Sequence, residues 1–360
     1  QPVVLKNLPR VNDINTMISL LRSLGSKIIL SKDKRVARIY NKKNLKTFAS
    51  YSLVKTMRGS ILVLGPLIAR YYKSKISLPG GCLIGARPIN YHLDSLKKLG
   101  MNYLLKDGYI LAKSNGKLKG TTIKFPRLSV GATENSIIAA CLAKGTTILK
   151  NCAIEPEIKD LTKFLNSAGA KISWIGRTCK INGVKTLNPT EYSVMADRIE
   201  AGTFLMAGAL NGEIKINNII PLHLEKVTNK LIEAGCQINI NDDSISITPS
   251  ENLKSVDMTT AVFPGFPTDL QAQWVALMSL SDSSSIVTDT VYHDRFSHIP
   301  ELARLGANIK VEKNTAFIRG VGQLIGAPVM STDIRASAAL FIAALAAKGE
   351  TEISRIYHID

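Results

Sequence analysis

Aromatic residues make up only 6% of this 360-residue chain, and acidic residues are scarce, 28 Asp and Glu against 46 Lys and Arg. Cysteine is sparse as well: the five, at 82, 141, 152, 179 and 236, form no CxxC pair, which excludes a disulfide scaffold. Five histidines form no HExxH pattern and no zinc spacing occurs, so neither a metal nor another cofactor is expected. Long apolar runs are missing too. The longest helical candidate, Ala336 to Ala347, is interrupted by Ser337 and followed by Lys348 and Gly349, so no membrane association is expected. There is no GxGxxG after a first strand and no Walker sequence, which weakens a doubly wound nucleotide fold.

What remains is a chain that is 45% apolar, long enough for two ordinary domains with a core each, and therefore not disordered or of low complexity. The net charge of +18 favours anionic partners without choosing among nucleic acid, phosphorylated metabolites and membrane surfaces. The lysine-rich stretch Lys32 to Lys46 holds one clear aromatic, Tyr40, and reads as a solvated face, so no nucleic-acid partner is expected. A soluble protein of a reducing cytoplasm fits these counts.

One phrase recurs: a helical stretch, a small residue with glycine, then an alternating strand. It occurs as LLRSLGSKII at 20–29, LKKLGMNYLL at 96–105, FLNSAGAKIS at 164–173, LIEAGCQINI at 231–240 and LARLGANIKV at 302–311. Its glycines, at 25, 100, 169, 235 and 306, are spaced by 66 to 75 residues. Glycine suits a left-handed helix C-cap that turns sharply into a strand. A second phrase closes another helix in the same way, as CLAKGTTIL at 141–149, GALNGEIKI at 208–216, SLSDSSSIV at 279–287 and LAAKGETEI at 345–353. The repeat is far longer than a solenoid unit and mixes strands with helices, which predicts an α/β fold of two domains with three units each. Small-apolar helices such as AGTFLMAGAL at 201–210 suit burial inside sheets. The boundary is expected near Asn188 to Ala196, giving domains of residues 1–195 and 196–360.

The loop LPGGCLIGARP at 78–88 is poorly built for a core and well built for close approach to a ligand. Cys82 lies five residues before Arg87, whose guanidinium would lower the thiol pKa and hold an anion beside the sulfur. Cys141 and Cys236 sit in apolar helical surroundings and read as core residues. Arg58 is expected in a helix that starts near Leu53, where it is either solvated or matched to an anion. Asp269 follows Thr268 at a helix start in FPGFPTDLQAQ, as either a cap or a general base. Asp333 and Arg335 repeat this arrangement one unit later, and Asp197 and Arg198 one unit earlier. Three related helix starts would bring these charges to one end of a pseudo-threefold domain.

Taken together, SLVKTMRGS at 52–60, LPGGCLIGARP at 78–88, SVGATEN at 129–135, EPEI at 155–158, FPTD at 266–269, DIRAS at 333–337 and RIYHID at 355–360 closely resemble, in order, the bacterial UDP-N-acetylglucosamine enolpyruvyl (carboxyvinyl) transferase family. The resemblance runs over essentially the whole chain. It implies two inside-out α/β domains of three units, an active site between them, and a mobile lid around Cys82. It implies transfer of the enolpyruvyl group of phosphoenolpyruvate to the 3'-hydroxyl of UDP-N-acetylglucosamine, with release of phosphate, in a monomeric enzyme of the bacterial cytoplasm.

On this resemblance Asp269 would take or position the hydroxyl proton, and Cys82 would act as general acid and adduct-forming thiolate. Arg58 and Arg87 would neutralise phosphate, Arg335 the carboxylate, and Asp333 would complete the charged mouth. Arg87, Pro88, Ile89, Asn90 and His92 would lie near uridine, with Arg127, Ser129, Val130 and Gly131 around the diphosphate. Glu155, Arg198, Thr268, Val291 and Arg295 would complete the substrate cleft. Asn90 stands where the family usually has aspartate, and Asn12 and Arg127 where lysine is common. Missing family residues at both ends lead us to expect a truncated chain of impaired activity. Two alternatives stay open: an enolpyruvylshikimate phosphate synthase-like transferase, and a nucleotide-sugar-binding relative without catalysis.

Overall fold

The computed structural model describes residues 1–42, 44–80 and 89–356, and the chain divides into two compact units between Met195 and Ala196. Helices of the first unit are α1 (Asn12–Leu24), α2 (Tyr51–Val54), α3 (Leu64–Tyr71), α4 (Asn90–Lys98), α5 (Val130–Ala140) and α6 (Pro156–Ser167). Those of the second are α7 (Arg198–Asn211), α8 (Glu225–Glu233), α9 (Gln271–Met278), α10 (Ile299–Arg304) and α11 (Ile334–Ala346).

The repeated glycine phrase ends α1, α4, α6, α8 and α10. All five glycines are left-handed, with φ of 109° at Gly25, 107° at Gly100, 95° at Gly169, 97° at Gly235 and 92° at Gly306. At Gly25 the turn is closed by Gly25 N–H to Arg22 O (2.9 Å) and Ser26 N–H to Leu21 O (3.0 Å), which sends the chain into the strand Lys27–Leu30.

Three sheets of the first unit share one plan, a parallel pair of strands extended by an antiparallel hairpin. They run Glu191–Ser193, Val3–Lys6, Ala37–Tyr40, Lys27–Leu30; Phe48–Ala49, Lys73–Ser77, Tyr109–Ser114, Met101–Lys106; and Thr122–Lys124, Thr146–Lys150, Thr178–Asn182, Lys171–Ile175. In the second unit the plan is complete in Met258–Thr260, Ser284–Asp289, Thr315–Arg319, Asn308–Glu312. Among the described residues it is three-stranded in Ile214–Asn217, Ser244–Thr248, Gln237–Ile240 and a parallel pair in Val329–Met330, Ile353–Ser354.

Helices line each core and strands turn one face outward. In Lys73–Ser77 the side chains of Lys73 and Lys75 are exposed while Ser74 and Ile76 are buried. All eight residues of α9 are buried, packed between α7 and α11. Trp274 is fully buried, edge-on to Phe266 with ring centroids 5.6 Å apart, and such a side chain contributes about 2–3 kcal/mol by leaving water. α7 comes close to this layer only because Gly202 has no Cβ, which would collide with the Leu270 side chain. In the first unit α5 is the central helix, packed on α3, α4 and α6.

One expectation needs correction. The helix expected to start near Leu53 is broken into α2, a 3-10 turn Arg58–Val63 and α3, because Met57 is extended (φ −143°, ψ 121°). Pro66 explains the restart: it lacks an N–H and is tolerated in the first turn of a helix beginning at Leu64, but not inside a longer one. The short strand before α5 spans Thr122–Lys124, and Lys119 makes an isolated bridge to Lys144.

Candidate active site

Three helix starts of the second unit, related by the repeat, place an aspartate at the same point, yet they use it differently. Asp197 caps α7, its Oδ1 accepting from Ile199 N (2.7 Å) and Glu200 N (3.3 Å). Asp333 caps α11, its Oδ1 accepting from Arg335 N (2.9 Å) and Ala336 N (3.2 Å) and its Oδ2 from Ser297 Oγ (3.1 Å). Asp269 caps nothing. It lies in a 3-10 turn, Thr268–Leu270, entered from extended Pro267 with no side-chain cap bond, so its carboxylate is available to other partners.

Those partners are two guanidinium groups. Arg295 Nη2 donates to Asp269 Oδ1 at 2.6 Å, and Arg335 donates to the same oxygen through Nε at 2.8 Å and Nη2 at 2.7 Å. No described residue hydrogen-bonds Oδ2. Burial opposes ionisation of Asp269, but Arg335 and Arg295 outweigh it and hold the carboxyl down at about 2. Arg295 is itself buried, with its guanidinium over the Tyr292 ring at 5.3 Å and Nη1 donating to Thr268 Oγ1 at 2.9 Å. The structure thus brings together Thr268, Asp269, Arg295 and Arg335, with Asp333 at the start of the helix that carries Arg335. Arg198 is buried over the Phe263 ring, 5.5 Å from its centroid. Val291 is half-buried, and its N–H donates to Asp289 Oδ1 at 2.8 Å.

The first unit gathers a second set. Asn135, fully buried on α5, accepts from Gly65 N (2.8 Å) through Oδ1 and donates through Nδ2 to Ile61 O at 3.1 Å. The same Nδ2 lies 3.2 Å from His92 Nδ1. One amide therefore ties together the turn that begins with Arg58, the start of α3 and the ring on α4. Burial, helped by the nearby Arg58 charge, pushes His92 down to about 4, so the ring is neutral at physiological pH. A Cβ on Gly131 would stand 3.0 Å from His92 Cε1 and 3.2 Å from Nε2, so a side chain at 131 would force the ring to give by a few tenths of an ångström. Ser129 caps that helix, accepting from Ala132 N at 3.4 Å, and Val130 is exposed there. Such a helix end attracts anions.

Arg127 is exposed, Asn90 is exposed at the first position of α4, and Ile89 is partly buried just before it. Glu155 is buried at the N-cap of α6 without a cap bond, and its Oε2 has no hydrogen-bond partner among the described residues. Glu134 is pushed up to about 7 by burial and by the neighbouring Glu157 and Glu155. Cys82, Arg87 and Pro88, with the expected lid, lie outside the described residues.

Among the described residues no group of three His, Cys, Asp or Glu side chains could hold a metal ion, and no helix is long and apolar enough to cross a membrane. Cys141, Cys152, Cys179 and Cys236 are free and buried. Burial pushes the thiols of Cys141 and Cys152 up to about 12 and about 11.

Sequence reasoning missed Asn135, Glu134, His298 and Asp289. The first two stand inside the SVGATEN phrase. Asp289 left a clearer signal: in Ser284–Asp289 it shares the inward parity of Ser285 and Val287, where a carboxylate is out of place unless it has a task.

A charged carboxylate–diguanidinium cluster on one repeat-built α/β unit, and a neutral histidine beside an anion-attracting helix end on the other, suit an enzyme that handles phosphorylated and carboxylated substrates. Residues 1–360 match the EPSP synthase (3-phosphoshikimate 1-carboxyvinyltransferase) family, and the chain belongs to it. Over 360 residues it is 51% identical to the UDP-N-acetylglucosamine 1-carboxyvinyltransferase of Pelagibacter ubique (strain HTCC1062), covering 99% of this chain and 86% of that protein. It is 46% identical over 364 residues to the enzyme of the same name from Coxiella burnetii (strain RSA 493 / Nine Mile phase I), covering 100% and 83%. Among solved structures, the enolpyruvyl transferase NikO from Streptomyces tendae matches with a TM-score of 0.88 at 23% identity, over 99% of this chain and 86% of that one. An EPSP synthase from Acinetobacter baumannii matches with a TM-score of 0.74 at 17% identity, over 98% and 85%. These two share the fold, as the repeated α/β units predict.

Proposed function

We propose that the protein transfers the enolpyruvyl group of phosphoenolpyruvate to the 3'-hydroxyl of UDP-N-acetylglucosamine and releases phosphate, the first committed step of peptidoglycan synthesis. The structural observation that carries this reading is an ionised Asp269 bound by two arginines through one oxygen, with no described residue hydrogen-bonded to the other, which would take the hydroxyl. Identities of 46–51% to relatives named for that transfer support the choice of acceptor.

In this reading the sugar oxygen bonds to C2 of phosphoenolpyruvate while its proton passes to Asp269 Oδ2, and a proton from Cys82 reaches C3. One C3 proton returns to the Cys82 thiolate as the bond from C2 to the phosphate oxygen breaks, which restores the double bond, and the phosphate leaves with the proton that Asp269 held. Arg335 takes the phosphoenolpyruvate carboxylate, and Arg58 and Arg87 take the phosphate. The move of Arg335 leaves Asp269 with Arg295 alone, which raises its proton affinity as the hydroxyl arrives. Asp333 acts through Arg335, whose helix it caps.

The N-terminus of α5, with Arg127, Ser129, Val130 and Gly131, takes the diphosphate. Arg87, Pro88, Ile89, Asn90 and His92 face uridine, and Glu155, Arg198, Thr268, Val291 and Arg295 line the rest of the substrate site. We assign the enzyme to the bacterial cytoplasm, as a monomer.

The test is phosphate release from phosphoenolpyruvate with UDP-N-acetylglucosamine or shikimate 3-phosphate as the only acceptor. Release with the sugar nucleotide alone is expected. Release with shikimate 3-phosphate alone would move the protein to the sister activity, and binding of the sugar nucleotide without release from either acceptor would make it a binding protein.

A further inference from the structure

Asp289 is fully buried at the end of the strand Ser284–Asp289, and it forms no ion pair among the described residues. A lone buried charge is held only by donors. Oδ1 accepts from Thr260 Oγ1 (2.8 Å), Val291 N (2.8 Å) and Tyr292 N (2.9 Å), while Oδ2 accepts from Thr268 Oγ1 (2.6 Å). A hydroxyl has one proton. With that proton committed to Asp289, Thr268 has only lone pairs to offer Arg295 Nη1, which donates to it at 2.9 Å. The other terminal nitrogen of Arg295 lies on Asp269 Oδ1 at 2.6 Å. A continuous chain thus runs from Asp289 through Thr268 and Arg295 to Asp269, and the carboxylate at its buried end also seats the backbone of Val291.

We propose that Asp289 is a positioning residue for the transfer: by holding the Thr268 proton it makes that hydroxyl the acceptor that fixes Arg295 against Asp269. This rests on the transferase reading for its catalytic consequence. The charged groups facing Asp269 are Arg295 and Arg335, and His298 lies near both Arg295 and Asp333. Asp289 touches neither substrate in this account. It sets the polarity of one hydroxyl.

Asp289→Asn tests this at nearly constant shape. Its amide nitrogen, set against Thr268, donates; the Thr268 proton then turns to Arg295, donor against donor, and Arg295 is released. In steady-state phosphate release, Asp289→Asn and Thr268→Val should each lower kcat by roughly 10- to 100-fold, the scale of an ångström of misplacement. The double variant should lose no more than either single one, since both break the same link. Thr268→Ser, which keeps the hydroxyl, should restore most of the rate. Losses that multiply in the double variant, or a wild-type kcat in Asp289→Asn, would overturn the proposal.

A second readout does not depend on turnover or on Asp289→Asn folding. Carbon-13 NMR of the Asp269 carboxyl should show it titrating near pH 2 in the wild-type protein and at higher pH in Thr268→Val. An unmoved titration would refute the relay. A wild-type protein that releases no phosphate would refute the transferase reading and leave the relay to be decided by this titration.

Discussion

Arg335 grips Asp269 by one oxygen only, with Nε at 2.8 Å and Nη2 at 2.7 Å from the same Oδ1 that Arg295 reaches at 2.6 Å. A bidentate pair across both oxygens would bind more symmetrically but would occupy a lone pair on each. The one-sided grip keeps the carboxylate charged and leaves Oδ2 without a hydrogen bond from any described residue.

Replacing Asp269 with Asn keeps the shape and removes the base. We expect kcat to fall by about 10²- to 10⁴-fold while the KM for UDP-N-acetylglucosamine changes little. Arg335→Lys loses the fork, so the KM for phosphoenolpyruvate should rise by about tenfold, the effect of 1–2 kcal/mol, and Asp269 should titrate at higher pH. Steady-state kinetics in both substrates and the carboxyl titration check the pair.

His92 and Gly131 give a separate prediction. Adding a methyl at 131 pushes the ring from the α5 N-terminus, so Gly131→Ala should raise the KM for the sugar nucleotide by about tenfold and leave kcat nearly unchanged. Ring NMR should show His92 neutral down to about pH 5, because burial and Arg58 hold it at about 4.

Much of this was legible in the sequence, for physical reasons. The left-handed turn at Gly25 and its four repeats demands glycine, so the unit announced itself by spacing. Asp269 and Arg335 could be named from their motifs and Arg295 from the family resemblance, but their sharing of one oxygen could not. That depends on which of three equivalent aspartates caps its helix: Asp197 and Asp333 do, and Asp269, entered from extended Pro267, does not. Asn135 stayed hidden because its partners, the backbone at 61 and 65 and the His92 ring, are far away in sequence, and Asp289 because the hydroxyls of Thr260 and Thr268 are. The break before α3 was readable in Pro66 and was outweighed by the apolar run around it.

Glu134 makes stability depend on pH in a defined direction. Burial and two neighbouring glutamates raise its carboxyl from the ordinary 4.5 to about 7, so the folded state holds a proton that the unfolded chain has given up. Its contribution is complete below about 4.5 and is lost as pH rises through 7. Glu134→Gln should therefore flatten the fall in stability between pH 5 and 8, measured by urea unfolding at each pH.

The four described cysteines are buried, and burial raises all four thiols, so none is expected to react at neutral pH. The role proposed for Cys82 predicts a single adduct per native chain with an epoxide phosphonate such as fosfomycin, lost in Cys82→Ser. Intact mass spectrometry reads this directly. Retained activity with no added mass would remove the thiol from the mechanism.

The most direct test of the account is phosphate release from phosphoenolpyruvate, with and without UDP-N-acetylglucosamine, by the wild-type protein and by Asp269→Asn. The account predicts release that requires the sugar nucleotide in the wild type, and binding of both substrates without release in the variant. Release by Asp269→Asn at the wild-type rate would contradict it.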